Sequence, residues 1–441
     1  MKQGRRAVVI GGGYTGMAAA HDLARAGFNV TILEADADVG GLAGTFEILP
    51  GKRVERFYHH WFSSDLDILD FIEQLGLGDR IEFKETNTGM FFANSIFRLA
   101  SPLDLLKFPG IPFLDRIRTG CMALYARRLN NWRPLEDLTA AEWVTKIGGK
   151  AAYEVMWKPL LHGKFGDEAP NISAVWFWNK LKLRGSSRSR KGAEQLAYFR
   201  GSFGAFTAAL KDALTSSGVD VRVNSPVTRI LSQSGAVTGV QTPSETIPAD
   251  LVLATLPLPT FLDLVPELPD AYTSPARQIR FLGNVCLVLR LNRSLSSTYW
   301  LNVADPTFPF VGVIEHTNMD APENYGGERI AYVSKYLPVT DSMFSMGDEE
   351  LFEYCLPYLN RIFPEFSRDW VNGFHVWRAR YSQPVITKRY SHLIPSTRTP
   401  ISNLWLSTMA QVYPEDRGTN YAIRAGRNVA KEIILENQRH E

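Results

Sequence analysis

A short run of small and β-branched apolar residues, Ala7–Ile10, is broken at once by Gly11-Gly12-Gly13. Behind the break, apolar positions recur at helical spacing from about Thr15 to Ala26, Gly27 marks the stop, and a second apolar run follows at Asn29–Leu33. The opening of the chain therefore predicts strand, glycine turn, helix and strand, a βαβ unit. In Asp65–Leu77 the positions Leu66, Leu69, Phe71, Ile72 and Leu75 predict one buried helix face. Leu99–Trp132 breaks its helical pattern at Pro102, Pro109 and Pro112 and mixes large apolar groups with Lys107, Arg116, Arg118, Arg127 and Arg128. A further helical stretch covers Ala140–Leu161, and Trp176-Phe177-Trp178 precede the basic segment Lys180–Lys191. From Tyr198 the α/β pattern returns, with Gly201–Gly204, a helix over Ala205–Ser216 and strands at Val219–Val223 and Val227–Leu231. Alternation in Val285–Leu291 and Ile330–Ser334 predicts antiparallel strands within Leu282–Tyr336, a half-buried sheet that floors a cavity. Strand Leu404–Ser407 and a helix near Asn420–Asn437 close the chain.

With 441 residues the chain exceeds one ordinary core and predicts two to three domains. Its 48 basic and 46 acidic side chains leave a formal charge of +2, which supplies no global field for nucleic acid. Cys121, Cys286 and Cys355 form no CxxC pair, so neither a disulfide framework nor a thiolate metal site is predicted; metal ligands: none. A reducing cytoplasm is the expected location. The first residues show no export signal and no long apolar span occurs, while attachment to a membrane surface stays open.

Gly11, Gly13 and Gly16 satisfy G-x-G-x-x-G, the spacing that makes a tight turn, lets backbone approach a pyrophosphate and packs a helix against a strand. Tyr14 and Thr15 open that helix, whose N-terminal amides face the phosphates. Glu34, with Ala35 beside it, ends the second strand 18 residues after Gly16, where a carboxylate meets a ribose. This fingerprint alone does not separate NAD from FAD.

The next segments do. Asp38-Val39-Gly40-Gly41-Leu42-Ala43-Gly44 resembles the D-x-x-G-G-R turn of the flavin-containing amine oxidase superfamily, which includes protoporphyrinogen oxidase and phytoene desaturase-like enzymes and, more distantly, UDP-galactopyranose mutase; Leu42 stands where the family has arginine. Gly201–Phe206 with Gly218–Arg222, and Ala249–Pro257, resemble further family segments, so the likeness spans nearly the whole chain. It implies FAD, with Val227 meeting the adenine, Thr255 as a further cofactor-binding residue, and Arg417, Gly418, Asn420, Tyr421 and Ala422 in place of the family's C-terminal Gly-Asp element. There Gly418–Ala422 would set backbone amides at a helix start near the flavin N1–O2 edge.

The implied architecture is α/β: a Rossmann-type FAD-binding domain (1–98, 192–260 and 391–441) with an inserted helical cap (99–191) and an antiparallel-sheet substrate domain (261–390). FAD performs the hydride chemistry, so the protein need only orient a small, largely hydrophobic substrate and exclude water. The cluster Glu55-Arg56-Phe57-Tyr58-His59-His60-Trp61-Phe62 follows the glycine pair; His59 and His60 are the candidates to move a proton, with hydrogen bonding to cofactor or backbone as the ordinary alternative. Tyr58, His162, Lys164, Arg188, Tyr381 and Tyr413 are candidates for substrate contact, Lys164 and His162 toward an anionic group and the two C-terminal tyrosines as cavity walls. The reaction implied is that of a dehydrogenase, oxidase or desaturase. Two rivals are a non-redox mutase of the UDP-galactopyranose type, with Arg188, Arg378 or Arg380 on phosphates, and a flavin-bearing scaffold. The sequence does not read out oligomeric state.

Overall fold

The computed structural model describes residues 4–98, 102–186 and 195–440. A five-stranded parallel sheet orders its strands as Asp220–Arg222, Asn29–Leu33, Arg6–Ile10, Leu251–Ala254 and Leu404–Leu406. Arg6–Ile10 lies at its centre, and its residues divide between two cores: Ala7 and Val9 join one, Val8 and Ile10 the other. This explains an apolar run without alternation, since both faces are covered.

The first core lies under the helices Tyr14–Arg25, Ser202–Ser216 and Thr419–His440. The first and last of these touch closely: a Cβ on Gly426 would fall 2.2 Å from the Thr15 carbonyl oxygen, so glycine is required there. On the other face, a three-stranded meander over residues 229–248 and the cap share the second core, with Met122, Trp143, Leu161 and Trp178 all buried in it. The expected cap is present as Pro102–Lys107, Phe113–Arg128, Ala140–Gly148, Lys158–Phe165 and Ala174–Ser186. Its predicted single helix over Ala140–Leu161 is instead broken at Gly149, at φ 102°, where a side chain would meet the Asp115 carboxylate.

The substrate sheet has seven strands, with Phe281–Leu291 paired antiparallel to both Arg329–Leu337 and Val371–Pro384. Two expectations need correction. Residues 88–98, assigned to the cofactor domain, form a hairpin at the edge of this sheet, and Thr88–Phe92 pairs parallel to Trp300–Val303. Nor is the strand Phe281–Leu291 half-buried: Cys286 and Val288 face the first core, while Val285, Leu287 and Leu289 pack into a third one with the helix Asp348–Ile362. The outer helix covers the face expected to meet solvent.

Candidate active site

The glycine turn makes a cradle from backbone. Gly11 sits at φ 105°, and Thr255 Oγ1 pins the turn by donating toward the Ile10 and Gly11 carbonyls (2.9 and 3.1 Å). A Cβ on Gly16 would lie 2.0 Å from the Gly11 carbonyl oxygen, which is the close helix–strand packing the motif demands. Gly13 caps the helix and has no side chain of its own to satisfy the first amides, including those of Tyr14 and Thr15. Gly40 N–H donates to the Gly12 carbonyl (2.8 Å), and a Cβ on Gly41 would lie 3.3 Å from Gly13 Cα, so the two glycine loops close on each other. Glu34 accepts from Gly12 N–H (2.7 Å) and Asp36 N–H (2.9 Å), and exposed Ala35 lies between. The loop bearing Val227 is docked beside it through Ser225 N–H to the Glu34 carbonyl. Open amides at a helix start, two interlocked glycine loops and a fixed carboxylate fit a dinucleotide.

Beside this cradle lies a cavity of about 350 Å³, lined by Leu42, Phe57, Tyr58, His59, His60, Lys164, Arg417, Gly418, Asn420 and Tyr421 among others. Segments far apart in the sequence, at residues 42–60, 164 and 417–421, are thereby brought together. Trp157, Leu161, Trp176, Phe177 and Leu181 from the cap and Asn284, Trp300 and Tyr336 from the substrate sheet complete its wall. A larger open groove, about 1020 Å³, lies on the outer face between the helices Tyr14–Arg25, Leu66–Gln74 and Thr419–His440; its Arg427 and Arg424 are paired with Asp22 and Asp67, and it holds none of the glycine-loop residues.

His59 Nδ1–H donates to the Phe57 carbonyl (2.5 Å), which fixes the tautomer and leaves Nε2 as the acceptor. Burial lowers its pKa to about 4, and Arg417 adds to the effect, so the ring is neutral at physiological pH. His60 Nδ1 is 2.9 Å from the Tyr299 hydroxyl and its ring packs edge-on against Trp300. Arg417 donates to the Tyr336 hydroxyl (2.7 Å). Ala422 lies in the first turn of the C-terminal helix, its N–H bonded to the Gly418 carbonyl. The side chain of Asn420 accepts from Ile68 N–H and donates to Asp67, which ties the helix start to the helix Leu66–Gln74.

Other expected substrate contacts are not brought in. Tyr413 donates to Glu136 (2.8 Å) and packs against Trp132 and Tyr390, outside the cavity lining. Tyr381 packs edge-on against Phe281 and also lies outside it, because strand alternation sends the neighbouring Ser382 inward. His162 is absent from the lining although Lys164, two residues on, belongs to it. Arg188 falls outside the described residues, and Arg378 is tied to Asp348 and the Met346 carbonyl.

Sequence reasoning missed Glu55 as a residue with its own role. It is fully buried and accepts from Tyr198 O–H (2.9 Å) and from Phe203 N–H (2.8 Å) at the start of the helix Ser202–Ser216. Burial raises its carboxyl to about 7 against the lowering effect of these donors. Arg56, over the Trp377 ring at 4.7 Å and paired with Asp36, puts a guanidinium against the turn where Leu42 replaces the family's arginine. The adjacency of Glu55-Arg56 to the histidines was the available signal.

The model of the flavin-containing amine oxidoreductase family matches residues 14–434. The chain belongs to that family. It is 22% identical to the "Probable zeta-carotene desaturase" of Synechococcus elongatus over 97% of this chain and 98% of that protein. Among solved structures, a candidate protoporphyrinogen oxidase from Exiguobacterium sp. 255-15 superimposes with a TM-score of 0.79 at 18% identity, covering 98% and 99% of the two chains. Cyclohexylamine oxidase from Brevibacterium oxydans does so at 0.74 and 15% identity, covering 99% and 100%. This flavoprotein family member is an FAD-dependent oxidoreductase.

Proposed function

We propose that the enzyme takes hydride from a C–H or C–N bond of a largely apolar or polycyclic small molecule. The observation that carries this reading is the cavity wall, in which Trp157, Leu161, Trp176, Phe177 and Trp300 surround the residues of the flavin bed. Bound FAD would supply the two-electron acceptor at N5. The glycine cradle and Glu34 would hold the dinucleotide, the start of the helix Thr419–His440 would offer its amides to the ring system, and the aromatic wall orients the substrate and excludes water. His59 offers Nε2 as a hydrogen-bond acceptor and, being neutral, is poorly suited to carry a proton. Of the two described arginines named for the mutase reading's phosphate, Arg378 is tied to Asp348, and neither it nor Arg380 lines the cavity, an arrangement that favours redox use. Anaerobic mixing with a panel of apolar and polycyclic compounds, followed at the oxidised flavin band, tests the proposal: bleaching supports it, and turnover seen only after dithionite reduction overturns it.

We also propose that the cap meets a membrane surface from which such a substrate enters. Leu103, Phe113, Leu114 and Leu124 are 66%, 59%, 73% and 53% exposed on two neighbouring cap helices that carry Arg127 and Arg128, an arrangement suited to an interfacial anchor. Among the described residues, no helix is long and apolar enough to cross a membrane. Flotation with vesicles containing phosphatidylglycerol should recover the protein, and Phe113→Glu with Leu114→Glu should abolish recovery; unchanged recovery would refute the anchor.

A further inference from the structure

Three parts of the molecule meet on one carboxylate. Asp416, in the loop ahead of the helix Thr419–His440, is 4% exposed. Its carboxylate lies 2.5 Å from Lys180 Nζ, accepts from Gln383 Nε2 (3.1 Å) and has Lys164 Nζ at 3.8 Å. Its N–H donates to Asn179 Oδ1 (3.3 Å). Asn179 and Lys180 come from the cap helix Ala174–Ser186, Lys164 from the cap helix Lys158–Phe165, and Gln383 from the substrate strand Val371–Pro384. Burial by itself would raise the Asp416 carboxyl; Lys180, Lys164 and Arg417 together reverse this and hold it below the ordinary range, so it is an anion at physiological pH. An ion pair sheltered in this way contributes little net stability, because desolvation offsets the attraction. What it fixes is the path of the chain.

That path leads straight into the flavin bed. Arg417, the next residue, donates to the Tyr336 hydroxyl (2.7 Å), and Thr419 accepts from Trp61 Nε1 (2.8 Å). Arg417, Gly418, Thr419 and Asn420 all line the cavity, as do Asp416 and Lys180. Negative charge gathers on the N1–O2 edge of a flavin when the ring is reduced, and the amides at this helix start suit that edge. Asp416 stands directly before those amides, with a fixed negative charge that opposes the gathering one and a cation, Lys180, that answers it. We propose that Asp416 is the positioning residue of the flavin bed: it ties the docked cap to Arg417 and the start of the last helix, and its charge sets how readily the bound flavin accepts electrons. The redox poise of the flavin is thereby coupled to the seating of the cap. This inference rests on the reading of the cavity as lying against the flavin ring and is independent of the substrate's identity.

Reductive titration of the FAD-loaded protein against a dye of known potential tests this. Asp416→Asn keeps the shape of the side chain and removes its charge; the equilibrium constant for two-electron reduction is expected to rise about tenfold, equivalent to about 30 mV. Lys180→Gln is expected to shift it by a similar factor the other way. Lys180, 35% exposed, can be replaced without opening the core, so this variant carries the test if Asp416→Asn does not fold. Asp416→Asn combined with Lys180→Gln should return close to the wild-type potential, and Asp416→Glu should lie nearer wild type than Asp416→Asn. Potentials unchanged in both single variants would leave Asp416 a packing residue and overturn the inference. Arg417→Gln separates that outcome from a misplaced cavity. A potential moved by Arg417→Gln but by neither of the others rejects the role of Asp416 alone; no movement in any of the three rejects the placement of the cavity against the flavin, and the inference with it.

Discussion

The glycine cradle and the cavity beside it are built on opposite plans. The cradle recognises its ligand through main-chain amides whose positions are set by what is missing, side chains at Gly11, Gly13, Gly16, Gly40 and Gly41. The cavity recognises through side chains that arrive from the cap, the substrate sheet and the start of the last helix. Such a site tolerates little substitution at most of its glycines: a Cβ on Gly16 meets backbone that cannot yield, and Gly11, Gly40 and Gly41 hold positive φ angles that side chains rarely adopt. A side-chain site can change its occupant one residue at a time while the fold stands. Relatives named for carotenes and for amines share one architecture for that reason.

That contrast is most exposed to failure at Gly16. Gly16→Val would drive Cβ and its methyls into the Gly11 carbonyl oxygen, and the expected result is purified protein without flavin, read from the ratio of visible to ultraviolet absorption. Retention of stoichiometric FAD would show that the cradle is not closed by backbone contact.

Glu55 tests the wall behind the cavity. Its carboxyl titrates near 7 when folded and near 4.5 when unfolded, so the native state binds the extra proton and stability declines as pH rises through this window. Denaturant titrations at pH 5 and pH 8 should show wild type losing roughly 2.5 kcal/mol that Glu55→Gln does not lose. An identical decline in the variant would assign the effect elsewhere.

Glu34→Ala takes away one charged acceptor of the Gly12 N–H. A loss of about 2 kcal/mol, or some thirtyfold in the dissociation constant of FAD by equilibrium dialysis, is expected. No change would remove Glu34 from the cradle.

The smallest effect belongs to His59. Held neutral down to about pH 4 by burial, it should put no limb between pH 5 and 8 on the profile of kcat/KM, and His59→Gln should alter the rate by less than about tenfold. A limb that vanishes in the variant would restore the histidine as a proton carrier.

What the sequence made legible follows the same division. Gly11, Gly13, Gly16 and Glu34 are tied to one another by local spacing, and the buried strands around them are apolar without alternation, so the dinucleotide unit could be read directly. The Gly40–Gly41 turn was equally local. Tyr381 and Tyr413 were misplaced because local spacing does not say which way a residue faces: alternation directs Ser382 inward, and Glu136, far off in sequence, claims the Tyr413 hydroxyl. Lys180 and Asp416 are separated by most of the chain, and only the packing of cap against C-terminal segment makes them a pair. The hairpin at residues 88–98 was assigned to the wrong domain because its partner strand, Trp300–Val303, lies far downstream.

The contact of Gly426 with Thr15 bears on how the enzyme is made. The cradle helix is synthesised well before its neighbour on the core face and the edge strand Leu404–Leu406. Domains generally fold as units as the chain emerges, amino-terminal parts first. Here the cofactor domain closes only once Leu404–Leu406 and the helix Thr419–His440 have been made, and a polypeptide stopped before residue 404 exposes the flank of its central sheet and has no completed place for FAD.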